Sequence, residues 1–253
     1  SQAAVRNQFD PFIPCNGVHC DIIHMPYHKP HGVYAGHFAW GQQFIFDRFG
    51  GSHSRDRFSC LTNFREPISR MISCVHYRFV PLIAEYGCLS NMTSNQLLDV
   101  LITKTDKYGT SCLNEPFRMM SGISDENVLN ELGIEWKVNG SSDSKTYELH
   151  TKFTHLEEYA LRRTLHNVAK CGVLILEQSQ NDTNLVLQRR FPDLYRAGAF
   201  RPIVLNSQHA FDKCPALTHT HIEMLETLGA FERVLYDIVV KQQRQLVRTI
   251  SAA

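Results

Sequence analysis

Apolar residues recur at helical spacing in several stretches of the chain, with shorter apolar runs between them. Ile68, Met71, Ile72, Val75 and Phe79 form one stripe at intervals of three and four, which predicts a helix starting at Pro67, a residue suited to the first helical position. Just before it, the run FSCLTNFR at 58–65 is apolar and partly β-branched and reads as a strand; 32–38 reads as a shorter one. An Asn/Ser/Thr-rich stretch leads to a helix at Ser94–Thr103. Another helix is expected over 151–170, with Phe153, Leu156, Ala160 and Val168 on one side. Gly172 stops it, and 173–176 runs on as a strand of the buried type. Asn181, Asp182 and Thr183 offer a cap for a helix ending near Phe191-Pro192. From Thr218 the chain reads as helical with a break near Gly229, and Phe231, Val234, Leu235, Ile238 and Val239 are core candidates. The first 31 residues are irregular, carrying Pro11, Pro14, Pro26 and Pro30 after a short helical start over 1–9.

Strands alternating with helices predict an α/β fold, a mostly parallel central sheet flanked by helices. The length of 253 residues fits one domain over 1–253. In this class ligands bind beyond the carboxyl ends of the strands. Arg65, closing the strand at 58–65, therefore stands in a functional position.

Composition narrows the classes. At 43% hydrophobic and 20% charged the chain can build a core, and a net charge of +1 argues against gripping nucleic acid through summed positive charge. No apolar run reaches the roughly 18 residues a membrane span needs. Eight cysteines permit four disulfides without requiring any, and three sequons, at Asn91, Asn139 and Asn181, tilt toward a lumenal protein; the alternative is a cytosolic chain with reduced, buried thiols. The start at Ser1, without Met, is read as a segment removed upstream.

The chemistry concentrates in 61–73, LTNFREPISRMIS. Arg65 offers a planar, permanently charged donor fork suited to a phosphate, and Ser73, off the apolar stripe two turns into the helix, can bring a hydroxyl to the same anion. The plainer alternative pairs Arg65 with a carboxylate and leaves Ser73 solvated.

Arg65-Glu66-Pro67-x-x-Arg70-x-x-Ser73 after a strand resembles the 3′-phosphate-binding segment of sulfotransferases that use 3′-phosphoadenosine 5′-phosphosulfate. The likeness is greatest to the carbohydrate O-sulfotransferases of the uronyl and heparan sulfate 2-O-sulfotransferase group, and galactose 3-O-sulfotransferases share the layout. It implies a P-loop-like sulfotransferase fold, with Arg65 and Ser73 on the donor's 3′-phosphate and Arg70 anchoring the helix. Gly36-His37 resembles the family's strand ending in Gly-His, which makes His37 the implied catalytic base. Cys112-Leu113-Asn114-Glu115-Pro116-Phe117-Arg118 with Ser121-Gly122 resembles the stretch after the donor helix, and places Asn114 and Arg118 on the acceptor side. The segment from Gly172 to Glu177 resembles a later strand. Val204-Leu205-Asn206-Ser207 resembles a loop closing over the nucleotide, so Asn206 and Ser207 are implied donor contacts. The resemblance spans about 30–245. It implies the Golgi lumen, a type II membrane anchor removed upstream, the phosphosulfate as co-substrate, no metal, and a glycan or glycoconjugate acceptor. Near-neutral charge favours a neutral or lightly charged glycan.

Two departures stand out. The family's Lys-x-Gly-x-Thr/Ser loop for the 5′-phosphosulfate is missing, and the expectation is that it lies upstream of residue 1. Ala35 stands where the 2-O-sulfotransferases have the first histidine of His-Gly-His, which leaves His37, with His24 in reserve. A neutral imidazole, of pKa about 6.5, suits proton removal from a sugar hydroxyl; the alternative is a core histidine. The rival of another class is a sulfotransferase-like domain that binds a glycan or partner without turnover. A different phosphate-transfer enzyme lacks its Gly-x-x-x-x-Gly-Lys-Ser/Thr motif.

The other polar clusters have plain readings. Cys15, Cys20, His24 and His28 are dense enough for zinc, but three residues between Cys20 and His24 favour a short Cys15–Cys20 disulfide. Cys60 and Cys74 read as buried thiols, and Cys88 with Cys112 as a disulfide closing the polar stretch between them. Arg189, Arg190, Arg196 and Arg201 read as a solvated face or a contact for an anionic acceptor.

Overall fold

The computed structural model describes residues 10–12, 32–34, 40, 60–79, 85–103, 111–123, 125, 128–129, 131–139, 146–151, 154–192 and 214–252. Among them, strand β1 (Asp10–Phe12) lies parallel to β2 (Gly32–Tyr34). Strand β3 (Cys60–Phe64) leads into helix α1 (Pro67–Arg78). Helices α2 (Ser94–Thr103) and α3 (Glu115–Met120) follow, then the strands β4 (Ile134–Asn139) and β5 (Thr146–Thr151). Helix α4 (His155–Val168), strand β6 (Cys171–Ile175) and helices α5 (Gln180–Arg190), α6 (His219–Leu228) and α7 (Ala230–Ser251) complete the order. The fold is mixed α/β. β3 and β6 pair in parallel, Cys60 opposite Cys171 and Phe64 opposite Ile175, while β4 and β5 form an antiparallel pair with Ile134 opposite Thr151.

The stripe on α1 is buried as its spacing predicts: Met71, Val75 and Phe79 enter the core, with Ile68 and Ile72 packed at its edge. They meet Leu97, Leu98 and Leu101 of α2 and Met224, Leu225 and Leu228 of α6. A second cluster joins Phe64, Val173 and Ile175 of the parallel pair to Phe117, Ala160, Val168, Phe231, Leu235 and Val239. Phe117 and Phe231 stack with centroids 4.5 Å apart. Gly133 turns the chain into β4 at φ +73°, and a Cβ there would stand 2.5 Å from that of Phe231, so neither conformation nor space admits a side chain.

Several boundaries differ from the sequence pattern. The helix expected over 151–170 begins at His155, because Thr151 closes β5. Glu157 holds its start, accepting the N–H of Thr154 at 2.8 Å and that of Gly133 at 3.0 Å. Leu156 and Val234, assigned to apolar faces, are exposed, and Phe153 lies outside the described residues. The cap of α5 is Ser179, whose hydroxyl accepts the N–H of Asp182 at 3.1 Å, two residues before the Asn181–Thr183 stretch that the sequence offered as the cap. The break at Gly229 is present, with α7 starting at the next residue.

The cysteine expectations need correction. Cys60 and Cys171, opposite each other in β3 and β6, are joined, and neither Cys60 nor Cys74 is a thiol. Cys112 pairs with Cys74 rather than Cys88, and Cys88 pairs with Cys214. The polar segment is therefore closed from two different sides, onto α1 and onto the lead into α6. Cys15 and Cys20 lie outside the described residues. Among the described residues no helix is long and apolar enough to cross a membrane.

Candidate functional site

The carboxyl ends of β3 and β6 lie side by side, and the polar residues following each strand meet there. The ladder runs one residue past the strands: the N–H of Leu176 donates to the carbonyl of Phe64 at 2.9 Å. The next link comes from a side chain. Glu177 Oε1 accepts the N–H of Glu66 at 3.0 Å, while its Oε2 accepts the hydroxyl of Tyr236, on α7, at 3.1 Å. Arg65 stands between Phe64 and Glu66, so both peptide groups flanking its Cα are fastened to the end of β6.

Glu66 is the N-cap of α1. Its carboxylate accepts the N–H groups of Ile68 at 3.2 Å and Ser69 at 2.7 Å, and Arg233 of α7 donates to the same group. Burial alone would push this carboxyl up, but the Ser69 and Ile68 amides and the Arg233 charge outweigh it and hold the group below its ordinary value. The first-turn amides are thus already occupied. An anion bound here must be held by side chains rather than by the helix N-terminus. The Arg233 guanidinium also lies 5.7 Å from the centre of the Tyr236 ring. Burial, then the Glu177 charge, push the Tyr236 phenol up to about 12, so it remains a hydrogen-bond donor at every physiological pH.

Arg65 and Ser73 are both half-buried, and neither side chain makes a hydrogen bond or ion pair within the described residues. Arg70 differs completely. Its guanidinium holds Glu232 through two bonds of 2.5 and 2.7 Å, Glu115 at 3.1 Å and the carbonyl of Cys112 at 2.8 Å. Arg78 donates to the other oxygen of Glu115 at 2.6 Å and to the carbonyl of Ser111 at 2.9 Å. The segment from 111 to 115 is therefore bound to α1 by two arginines and the Cys74–Cys112 bridge. Of the two arginines in the motif, Arg70 is structural and Arg65 points its charge at no described carboxylate.

Asn114, in that segment, and Arg118, just after it on α3, are both buried. Arg118 donates to the carbonyl of Leu113 and, at 2.6 Å, to that of Ser111. Asn114, at φ 50°, donates from Nδ2 to the carbonyl of Leu132 at 3.0 Å. Arg118 thus closes the loop onto itself, and Asn114 ties it to Leu132. His37, Asn206 and Ser207 lie outside the described residues, as do His24 and the Cys15, Cys20 and His28 cluster. Among the described residues no group of three His, Cys, Asp or Glu side chains is arranged to hold a metal ion.

Glu177, Arg233 and Tyr236 are the additions to the site. Arg233 and Tyr236 are three apart on α7 and so share a face, yet nothing local in the sequence marks them as partners of Glu66 and Glu177, 167 and 59 residues away. Glu66 carried a readable signal, an acidic residue directly before a helix-starting proline. Compared with protein-family models, with curated proteins and with solved structures, the chain finds no match in any of the three.

Proposed function

We propose that the protein transfers a sulfuryl group from 3′-phosphoadenosine 5′-phosphosulfate to a hydroxyl of a neutral or lightly charged glycan, using a P-loop-like sulfotransferase fold. The observation that carries this reading is the contrast between Arg65 and Arg70. Arg70 is consumed by carboxylates of the fold, whereas Arg65 ends a parallel strand with its charge uncommitted among the described residues, ahead of a helix that carries Ser73. A guanidinium at the carboxyl end of a parallel strand is where an α/β fold binds an anionic ligand. The 3′-phosphate of the donor supplies such an anion.

In the reaction the acceptor oxygen attacks sulfur in line, and a new S–O bond forms. The bond from sulfur to the bridging phosphate oxygen breaks, and 3′-phosphoadenosine 5′-phosphate departs with the electron pair. His37 takes the proton of the acceptor hydroxyl. Asn206 and Ser207 cover the nucleotide. The three disulfides among the described residues support a home in the oxidising Golgi lumen, because such bonds persist where thiols are not kept reduced.

The test is transfer of radiolabelled sulfate from the donor to a panel of neutral and acidic glycans by the full-length protein. Label appearing in a neutral glycan is the expected result. Donor binding without transfer to any glycan would favour a non-catalytic binding domain, the reading that Ala35 in place of a histidine would then explain.

A further inference from the structure

The two hydrogen bonds that flank Arg65 have a consequence for ligand binding. The side-chain direction of a residue is set by the orientation of the peptide groups on either side of its Cα. For Arg65 the preceding peptide is fixed by the last rung of the β3–β6 ladder, Leu176 N–H to Phe64 carbonyl at 2.9 Å. The following peptide is fixed by Glu177 Oε1 at 3.0 Å, a side chain standing in for a rung that the departing strands no longer supply. Glu177 is exposed and would swing freely by itself, but Tyr236 Oη anchors its second oxygen at 3.1 Å. Tyr236 belongs to α7, whose Leu235 and Val239 are buried in the core, so the anchor is rigid.

We infer that Glu177, held by Tyr236, is a positioning residue that aims Arg65 at the 3′-phosphate of the donor. The inference rests on the donor-site reading above. The charge balance agrees with it. Glu66 sits beside Arg65 and would repel a phosphate, but Arg233 offsets that carboxylate directly. Glu177 spends its two oxygens on an N–H and a hydroxyl, which disperses its charge away from the guanidinium. Helix α7 thus serves both elements beside Arg65 through two residues one turn apart.

The experiment is calorimetry on the full-length protein with two probes, 3′-phosphoadenosine 5′-phosphate and adenosine 5′-phosphate. Glu177→Ala is expected to weaken the first by about three- to tenfold, the worth of one hydrogen bond, and to leave the second unchanged. Glu177→Gln, whose amide oxygen still accepts from Glu66, should restore most of the loss. Tyr236→Phe should show the same selectivity with a smaller effect, and reads the latch independently if Glu177→Ala folds poorly. In an Arg65→Ala background, Glu177→Ala should add nothing. Equal losses for both probes, no loss, or a loss that adds to that of Arg65→Ala would overturn the latch while leaving the donor site standing. An Arg65→Ala substitution that weakens binding of both probes equally, or of neither, would remove the donor site itself, and the latch with it.

Discussion

Arg70 and Glu232, 162 residues apart in the chain, form a two-pronged ion pair at 2.5 and 2.7 Å, and both side chains are nearly excluded from solvent. Burial pushes the Glu232 carboxyl up, Arg70 pulls it back, and the Glu115 carboxylate adds to the rise. The pair ties the first turn of α1 to the first turn of α7. Its energetic sign depends on how it is disturbed. Removing one partner strands a buried charge, whereas removing both need cost little.

Glu232→Ala is therefore expected to destabilise the protein by about 3 kcal/mol, tempered by the second contact of Arg70 with Glu115. The double variant Arg70→Met with Glu232→Leu should recover most of that loss. Denaturant titration of the three proteins checks it; a double variant as unstable as the single one would show that the pair itself, not the stranded charge, carries the stability.

Peptide mapping without reduction should recover Cys60 with Cys171, Cys74 with Cys112, and Cys88 with Cys214. A Cys88–Cys112 peptide would contradict the structure. On loop-closure arithmetic each bridge restricts the unfolded chain by about 4–5 kcal/mol, so Cys74→Ser with Cys112→Ser should lower stability sharply even though both positions are small and buried.

The cap at Glu66 predicts an acid-sensitive contribution. Its folded carboxyl lies below the ordinary value of 4.5, so its stabilisation is fully present above that pH and is lost as pH falls through the folded value. Glu66→Gln should cost about 1 kcal/mol at neutral pH, and the gap to the parent should close as the solution is acidified. Melting curves across that range provide the check. A gap independent of pH would mean the charge of Glu66 does not matter.

How far the sequence was legible depends on how local each cause was. The stripe on α1, its start at Pro67, the helix at Ser94–Thr103 and the break at Gly229 are local matters of spacing and turn chemistry, and they read correctly. The β4–β5 pair was readable as well, since Ile134, Trp136 and Val138 alternate with polar residues in the period of a strand. The disulfides were not readable, because pairing depends on which elements meet in space: Cys60 finds Cys171 through strand register, and Cys88 finds Cys214 across 126 residues. The same holds for Glu177, Arg233 and Tyr236, whose partners are fixed by the docking of α7. The resemblance already set Arg70 apart as a helix anchor; what required the fold was the identity of its partners, Glu115 and Glu232.

His37→Ala is expected to lower turnover by about 10²–10⁴ without changing donor affinity, because a base facing the acceptor does not touch the adenosine nucleotide. The rate of the parent protein should rise with pH through a value of about 6.5, as the imidazole loses its proton. Steady-state kinetics at saturating donor measure both. A folded His37→Ala protein with near-normal turnover would move the role to His24.

The most direct measurement of the central claim is the affinity of the full-length protein and of its Arg65→Ala variant for 3′-phosphoadenosine 5′-phosphate and for adenosine 5′-phosphate. A charge-assisted hydrogen bond of this kind is worth about 1.5–3 kcal/mol, so the variant should bind the first nucleotide roughly ten- to a hundredfold more weakly. Its affinity for the second, which lacks the 3′-phosphate, should match that of the parent. Equal loss for both nucleotides, or no loss for either, would contradict the assignment of Arg65 to the donor's 3′-phosphate.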